Sequence, residues 1–535
     1  MMRLLVVLLA LSTMLPALAR EELYFPYREA GLSREEAAAH LLNRFSYGPR
    51  PGQVAEVARG GLEAWFEGQL TGDLTSPELG SALLAVPEES NEWTLRARKL
   101  LRAVYNQNQL HEVLTDFWFN HFNVSLTDDD CRQFVASYER EAIRPNILGP
   151  FRELLGATAH HPCMLYYLDN AYSQAPATGT VEMESNTDPL GYSARRGKLR
   201  PTPRPPDPNQ RKGLNENYAR ELLELHTLGV DGGYRQKDVT EVARVLTGWS
   251  VERTAGKASF VFRPEWHDDR PKRVMGSPTQ ASGQQEGEKL LDTLAMHPST
   301  ARFLCRKLAV RFVSDSPPRS LLTRLERTYL RRGGDLKAVV VELVESPEFW
   351  DRSVVKAKVK SPFELAASSV RILNARLEPR SGVVGFLEPM GQELYACRPP
   401  TGFPDRADYW INTGNLLNRM NFCLQLASGR VNGARVDLSE LRPGRSPRTV
   451  EEALSAYARC VLPGRDVKGT VEQLMPAALD PEFARRVTEA ATARGGSAKA
   501  YPQAQPSTRQ KVELTPESTA NVVGILLGSP EFQRR

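Results

Sequence analysis

Asn215-Glu216-Asn217-Tyr218-Ala219-Arg220-Glu221-Leu222-Leu223-Glu224-Leu225-His226-Thr227-Leu228-Gly229 is the stretch whose periodicity decides the fold class. Tyr218, Leu222 and Leu225 recur at the spacing of one helical face, and Asn217, Glu221 and Glu224 take another. Asn215 or Glu216 can start such a helix, and Gly229 can end it.

The same rule repeats outward in both directions. Ser33 and Glu36 form a capping box ahead of Ala38, Leu41, Leu42 and Phe45. Leu110, Val113, Leu114, Phe117, Trp118 and His121 make a second apolar stripe. Asp238 with Glu241 caps a helix carrying Val239, Val242, Ala243 and Leu246, and Asp335 after Gly333-Gly334 starts another. Ser346-Pro347-Glu348-Phe349, Ser361-Pro362-Phe363-Glu364, Asp480-Pro481-Glu482-Phe483 and Ser529-Pro530-Glu531-Phe532 each join a capping side chain, a proline and an early glutamate, and read as helix starts. Their unequal separations argue against a fixed-period repeat. Strand signal is confined to 259–262 and 273–275, at most a small hairpin around the polar turn 267–271. The expectation is an all-α, many-helix protein with a minor β-hairpin. Residues 173–213 are proline-rich and lack apolar periodicity, so they read as a flexible insertion and the first site of proteolytic cutting. Residues 494–516 resemble a linker before a last helix. No other boundary divides 20–535.

With 535 residues and 41% hydrophobic side chains, the chain can bury a large core, and wholesale disorder, coiled coil and collagen are excluded. Basic and acidic residues nearly balance, 69 against 64, which gives no electrostatic case for nucleic acid. Arg3, the apolar run from Leu4 to Leu11 and Ala17-Leu18-Ala19 read as a signal peptide over 1–19, cleaved after Ala19, so the mature chain is expected to be secreted or periplasmic. The run is shorter than the roughly 18 to 20 residues that span a bilayer, and no later segment reaches that length. The six cysteines, Cys131, Cys163, Cys305, Cys397, Cys423 and Cys460, form no CxxC. Disulfides and buried free thiols are both open readings for them.

Phosphate-cradling, dinucleotide, nucleophile-elbow and zincin signatures are all missing. What remains is a set of polar side chains: Glu221, Glu224 and His226 on the 215–229 helix, His121 in its apolar stripe, and His267 with Asp268 on a loop. At about 100° per residue, His226 lies roughly 140 to 160° from Glu221 and Glu224 around a regular helix, so the three cannot grip one ion. Any functional cluster must recruit His121, Asn120, His267 or Asp268 from elsewhere. Solvated carboxylates and core histidines bonded to backbone are the plainer readings of these residues. Asp128-Asp129-Asp130 lacks the spacing of a calcium loop and reads as a helix cap.

The order of Phe117-Trp118-Phe119-Asn120-His121-Phe122, 161–170, the 215–229 passage, Leu246-Thr247-Gly248-Trp249, His267-Asp268, 297–301, Arg398-Pro399-Pro400 and Asn415-Leu416-Leu417-Asn418-Arg419 resembles the bacterial DUF1800 family of domains of unknown function. The resemblance implies an exported, mainly helical bacterial protein without an established activity. It also implies a partner, an exported phosphatase- or sulfatase-like protein encoded nearby. Two departures stand out. The 173–213 insertion separates segments that are closer together in the family, and Phe403 occupies a position where similar proteins tend to have Trp. Function is expected to be that of a hydrolase-like enzyme of the cell envelope acting on polymeric, sulfated or phosphorylated material. Its site would lie where the helices of His121 and Glu221 meet the His267 loop. The alternative is a non-catalytic scaffold holding a partner through surface such as Trp410 and Arg406. Cofactor and metal are left unknown.

Overall fold

The computed structural model describes residues 22–72, 74–87, 91–175, 213–254, 257–441, 446–492 and 514–535. The signal-peptide reading of 1–19, nearly all of the 173–213 insertion and residues 494–513 of the linker-like stretch lie outside them. Helices account for 58% of the chain, against three small two-stranded sheets, so the protein is mostly α with a minor β component.

Local chemistry places the helices. The Ser33 hydroxyl accepts from the Glu36 amide and the Glu36 carboxylate accepts from Ser33 N, closing a capping box on the helix Arg34–Phe45. Asp335 caps Leu336–Val344 through Ala338 N. In the helix Gln109–His121 the stripe Leu110, Val113, Leu114, Phe117 and Trp118 is buried. Each side chain of that size contributes about 1.5–3 kcal/mol when withdrawn from water. Phe45 stacks on Phe312 at 4.8 Å, tying the first described helix to Pro298–Phe312. One core cluster runs from Phe25 to Phe532.

Several elements differ from the sequence expectation. The helix around Asp238 begins earlier, at Gln236: Arg235 is its N-cap, and Asp238 accepts from Arg235 N from the third helical position. Of the four Pro-Glu starts, Ser346 and Ser361 cap helices as read, while the third helix begins only at Phe483. Ser529-Pro530-Glu531-Phe532 forms a turn, because the following backbone is taken up by Lys360 N to Gln533 O and Arg535 N to Lys358 O. The two strand runs do not pair with each other. Residues 259–262 belong to Lys257–Phe262, which pairs antiparallel with Trp249–Thr254, and 273–274 pair with Ser277–Thr279. Among the cysteines, Cys131 and Cys163 form a disulfide; Cys305, Cys397, Cys423 and Cys460 are free.

Candidate functional site

Three segments converge on a cleft of about 310 Å³. The helix Gln109–His121 brings Asp116, Phe117, Phe119 and Asn120 to it, and Asn123 follows just beyond. The helix Pro298–Phe312 contributes Phe303, Arg306, Lys307, Val310 and Arg311, all on one face by the i, i+3, i+4 rule. The third wall is the irregular segment from Gln392 to Trp410, with Tyr395, Cys397, Phe403, Asp405 and Arg406.

Asn120 and Asn123 hold that irregular wall in place. Asn120 Nδ2 donates to Phe403 O at 2.8 Å and Asn120 Oδ1 accepts from Phe403 N at 2.7 Å. Asn123 Nδ2 donates to Cys397 O at 3.0 Å and Pro399 O at 2.9 Å. Gly402 has φ +71°, and a Cβ there would stand 2.3 Å from the Asn120 carbonyl oxygen, so only glycine allows this approach. Tyr395, a bulky residue at φ 60°, sits in the left-handed region on the cleft wall, its carbonyl bonded to Leu126 N. Such backbone strain concentrates at functional sites.

Charged residues of the lining are tied to further charges outside it. Lys99 pairs with Asp116 at 2.9 Å and Glu139 at 3.3 Å, and Arg144 bridges Glu112 and Glu139 at 2.8 Å each. Burial alone would push Glu139 up, but Lys99 and Arg144 hold it well below the usual carboxylate range. Arg311 pairs with Glu364 at 2.7 Å, and Arg535 joins the same carboxylate at 3.3 Å. Lys307 differs from these: its Nζ lies 2.9 Å from His121 Nδ1, so its bonded partner is an imidazole and not a carboxylate. Burial pulls its pKa down to about 8, with Asp405 opposing.

His121 is buried, 1% exposed, with both ring nitrogens engaged. Nε2 lies 3.1 Å from His226 O. A carbonyl can only accept, so Nε2 carries the hydrogen and Nδ1 accepts from Lys307. Burial, then Lys307, then His226 keep the His121 ring neutral by pushing its pKa well down. The His226 ring is buried 6.4 Å from that of His121, and burial followed by Lys307 lowers it to about 3; its Nε2 has no bonded partner among the described residues.

The remaining sequence candidates lie apart from the cleft lining. Glu221 and Glu224 are half-buried neighbours; burial and then Glu224 raise Glu221 to about 7, and Glu224 accepts from the Tyr234 hydroxyl at 3.1 Å. His267 is bonded to Thr247 O at 2.8 Å and to Glu286 at 3.3 Å, with Lys272 on the other Glu286 oxygen at 2.7 Å. Asp268 is gripped by Arg244 and Arg270. Burial would raise it, yet hydrogen bonds from Arg270 and Arg244 hold it well below the usual carboxylate range. None of the residues bonded to His267 or Asp268 lines the cleft. The structure therefore joins His121 with His226 and Glu221 with Glu224, and sets His267 with Asp268 in a third network. Among the described residues, no group of three or more His, Cys, Asp or Glu is placed to hold a metal ion.

The 215–229 passage is not a regular helix throughout. Asn217–Glu221 is α-helical, but Leu222–Thr227 is a π-helix, closed by Leu228 N to Leu223 O. A second π-helix, Tyr138–Ile143, carries Glu139, the partner of the cleft residues Lys99 and Tyr395. π-Turns are rare and cluster at functional sites. The residues missed by sequence reading are Lys307, Arg311, Lys99 and Asp405. A signal was present for two of them, since Phe303, Lys307 and Arg311 at i, i+4 and i+8 place cations on a face next to Leu304 and Leu308.

The family described as a protein of unknown function, DUF1800, matches residues 40–534. The chain belongs to the DUF1800 family. No curated protein and no solved structure shows a match. The quoted DUF1800 passages thus have physical roles in this member: Asn120 fixes Phe403 in the loop after Arg398-Pro399-Pro400, and His121 meets the backbone of His226, while Asn123, just beyond the first passage, holds Cys397 and Pro399. Phe403 lines the cleft 6.0 Å from Trp410, a stacking face that does not need an indole N–H. Among the described residues no helix is long and apolar enough to cross a membrane.

Proposed function

We propose that this protein is an exported, hydrolase-like component of the cell envelope. Its cleft would take a negatively charged, ring-bearing ligand of the class of sulfated or phosphorylated saccharides. The observation that carries this reading is the composition of the cleft wall. Five cations, Lys99, Arg306, Lys307, Arg311 and Arg406, line it beside two carboxylates, Asp116 and Asp405, and alternate with Phe303, Phe403 and Trp410. Glu139, Glu364 and Asp408 pair with Lys99, Arg311 and Arg406 from outside the lining, which leaves Arg306 and Lys307 as the cations without a carboxylate bonded to them among the described residues. Cations bind sulfate or phosphate oxygens through charge-assisted hydrogen bonds, and aromatic faces cover the apolar face of a ring. Lys307, whose bonded partner is neutral, has charge left for a ligand.

Export is supported by the leader-like 1–19 and by the Cys131–Cys163 disulfide, a bond kept in oxidising compartments. A phosphatase- or sulfatase-like partner would act on the same anionic material. A second reading keeps the ligand and drops the turnover: Arg406 and Trp410 both line this cleft, as a holding surface requires.

Titration with dextran sulfate, beside neutral dextran, tests the ligand class. The parent is expected to bind the sulfated polymer and ignore the neutral one. Lys307→Met should weaken binding about tenfold, the effect of losing about 1.4 kcal/mol, while Arg485→Ala, a remote exposed cation, leaves it unchanged. Equal losses in both variants would reduce the effect to general surface charge and reject the cleft.

A further inference from the structure

We propose that Lys307 is the catalytic base of this cleft, taking a proton from a water that attacks an ester of the bound anion, with His121 as the residue that positions its amine. The inference rests on the ligand class above and adds a reaction to it.

Geometry carries it in three steps. Lys307 lines the cleft, and its Nζ is bonded at 2.9 Å to His121 Nδ1. The His121 tautomer is fixed from behind by His226 O at 3.1 Å, so Nδ1 can accept from the amine but cannot donate to it. One N–H of Lys307 is thereby anchored, and the lone pair of the free amine is not used by that bond. The groups around it are neutral His121 and His226 from their helices, Asp405 from the 392–410 wall, and Arg306 and Arg311 on its own helix. An ordinary salt-bridged lysine, such as Lys99 between Asp116 and Glu139, is held charged and cannot serve as a base. A low lysine pKa, here about 8 from burial, leaves a working fraction of free amine near neutrality.

In the step itself a water O–H bond breaks and its proton joins the Nζ lone pair. The oxygen forms a bond to the phosphorus or sulfur of the ester, and the ester oxygen leaves with the proton returned by the ammonium. Atoms and charge balance with water as the sole co-reactant. The Lys307–His121 bond persists throughout, so His121 stays neutral.

The test needs no identified substrate, because a free amine reports itself. Pyridoxal 5′-phosphate, an aromatic phosphate with an aldehyde, condenses with unprotonated amines, and borohydride fixes the adduct for peptide mapping. Lys307 is expected to be labelled first in the native full chain, with a half-maximal rate near pH 8 and suppression by dextran sulfate. His121→Phe should move that midpoint by more than half a pH unit. Lys307→Arg, which keeps the charge, should retain dextran sulfate binding and lose the early label. Labelling of Lys307 no faster than that of exposed lysines, with a midpoint near their ordinary value, would overturn the base assignment in the parent alone, whatever the variants do. Failure of the parent to bind dextran sulfate while Lys307 labels early would instead reject the ligand class and leave the reactive amine standing.

Discussion

Single residues in this protein are held in protonation states that water would not favour, and Glu221 is the most accessible case. Burial and the adjacent Glu224 raise its pKa from the ordinary 4.5 to about 7. A carboxyl whose folded-state pKa is raised contributes stability that is complete below its unfolded value and is lost as pH rises through the folded one. Between pH 4.5 and 7 the unfolded chain ionises Glu221 before the folded chain does, and the fold weakens over that window. Glu221→Gln keeps the shape and removes the titration. The variant should match the parent in urea unfolding at pH 4 and exceed it at pH 8 by about 1 kcal/mol, a value discounted for partial exposure. An equal gain at both pH values would mean that the effect is packing and not charge. His121 shows why such residues are only half legible from sequence. Its place in the stripe Leu114, Phe117, Trp118 declares a buried, neutral ring with two partners to find. Neither partner can be named from sequence, because Lys307 and His226 reach it across 186 and 105 residues.

Elements divide the same way. Helices announced by a local side chain and a 3.6-residue stripe, such as Arg34–Phe45 and Leu336–Val344, are legible because the cap and the buried face lie within a few positions of each other. The π-helix Leu222–Thr227 is not, since one extra residue in a turn leaves the apolar pattern nearly intact while rotating everything after it. The runs 259–262 and 273–275 are visible in the sequence, but pairing depends on which neighbouring strand can close a turn, and each found its own. The 392–410 wall carries no periodicity at all; its path is dictated by Asn120, Asn123 and the left-handed Gly402. Gly402→Ala must either accept φ +71° and a Cβ 2.3 Å from Asn120 O or move the loop. The expected cost is about 2 kcal/mol or more in thermal or urea unfolding. A several-fold loss of dextran sulfate binding should accompany it, since Phe403, Asp405 and Arg406 travel with that loop. Full stability with full binding would show that the wall tolerates displacement and does not shape the cleft.

At the scale of the molecule, the core and the cleft are braced by different bonds, and this makes stability and binding separable. The Cys131–Cys163 disulfide spans 32 residues and joins the residue ahead of the short 3-10 helix Arg132–Phe134 to the helix Pro162–Tyr167. That helix touches the cleft wall through Tyr167, whose hydroxyl donates to Arg398 O at 2.6 Å. The wall is also held by the two Asn120 bonds and the two Asn123 bonds, none of which involves the disulfide. A cross-link of this loop length stabilises mainly by restricting the unfolded chain, by about 3.7 kcal/mol. Dithiothreitol should therefore lower the urea midpoint of the parent markedly and leave a Cys131→Ala, Cys163→Ala double variant where it is. Dextran sulfate binding by the reduced but still folded parent should stay within about twofold of the oxidised value. The four free thiols supply the control: Cys397 lines the cleft, but burial raises its pKa to about 11 and keeps it a poor thiolate at neutral pH. If reduction abolished binding while the fold persisted, the Tyr167 contact would be the one that sets the cleft, and the asparagine bonds would be secondary to it.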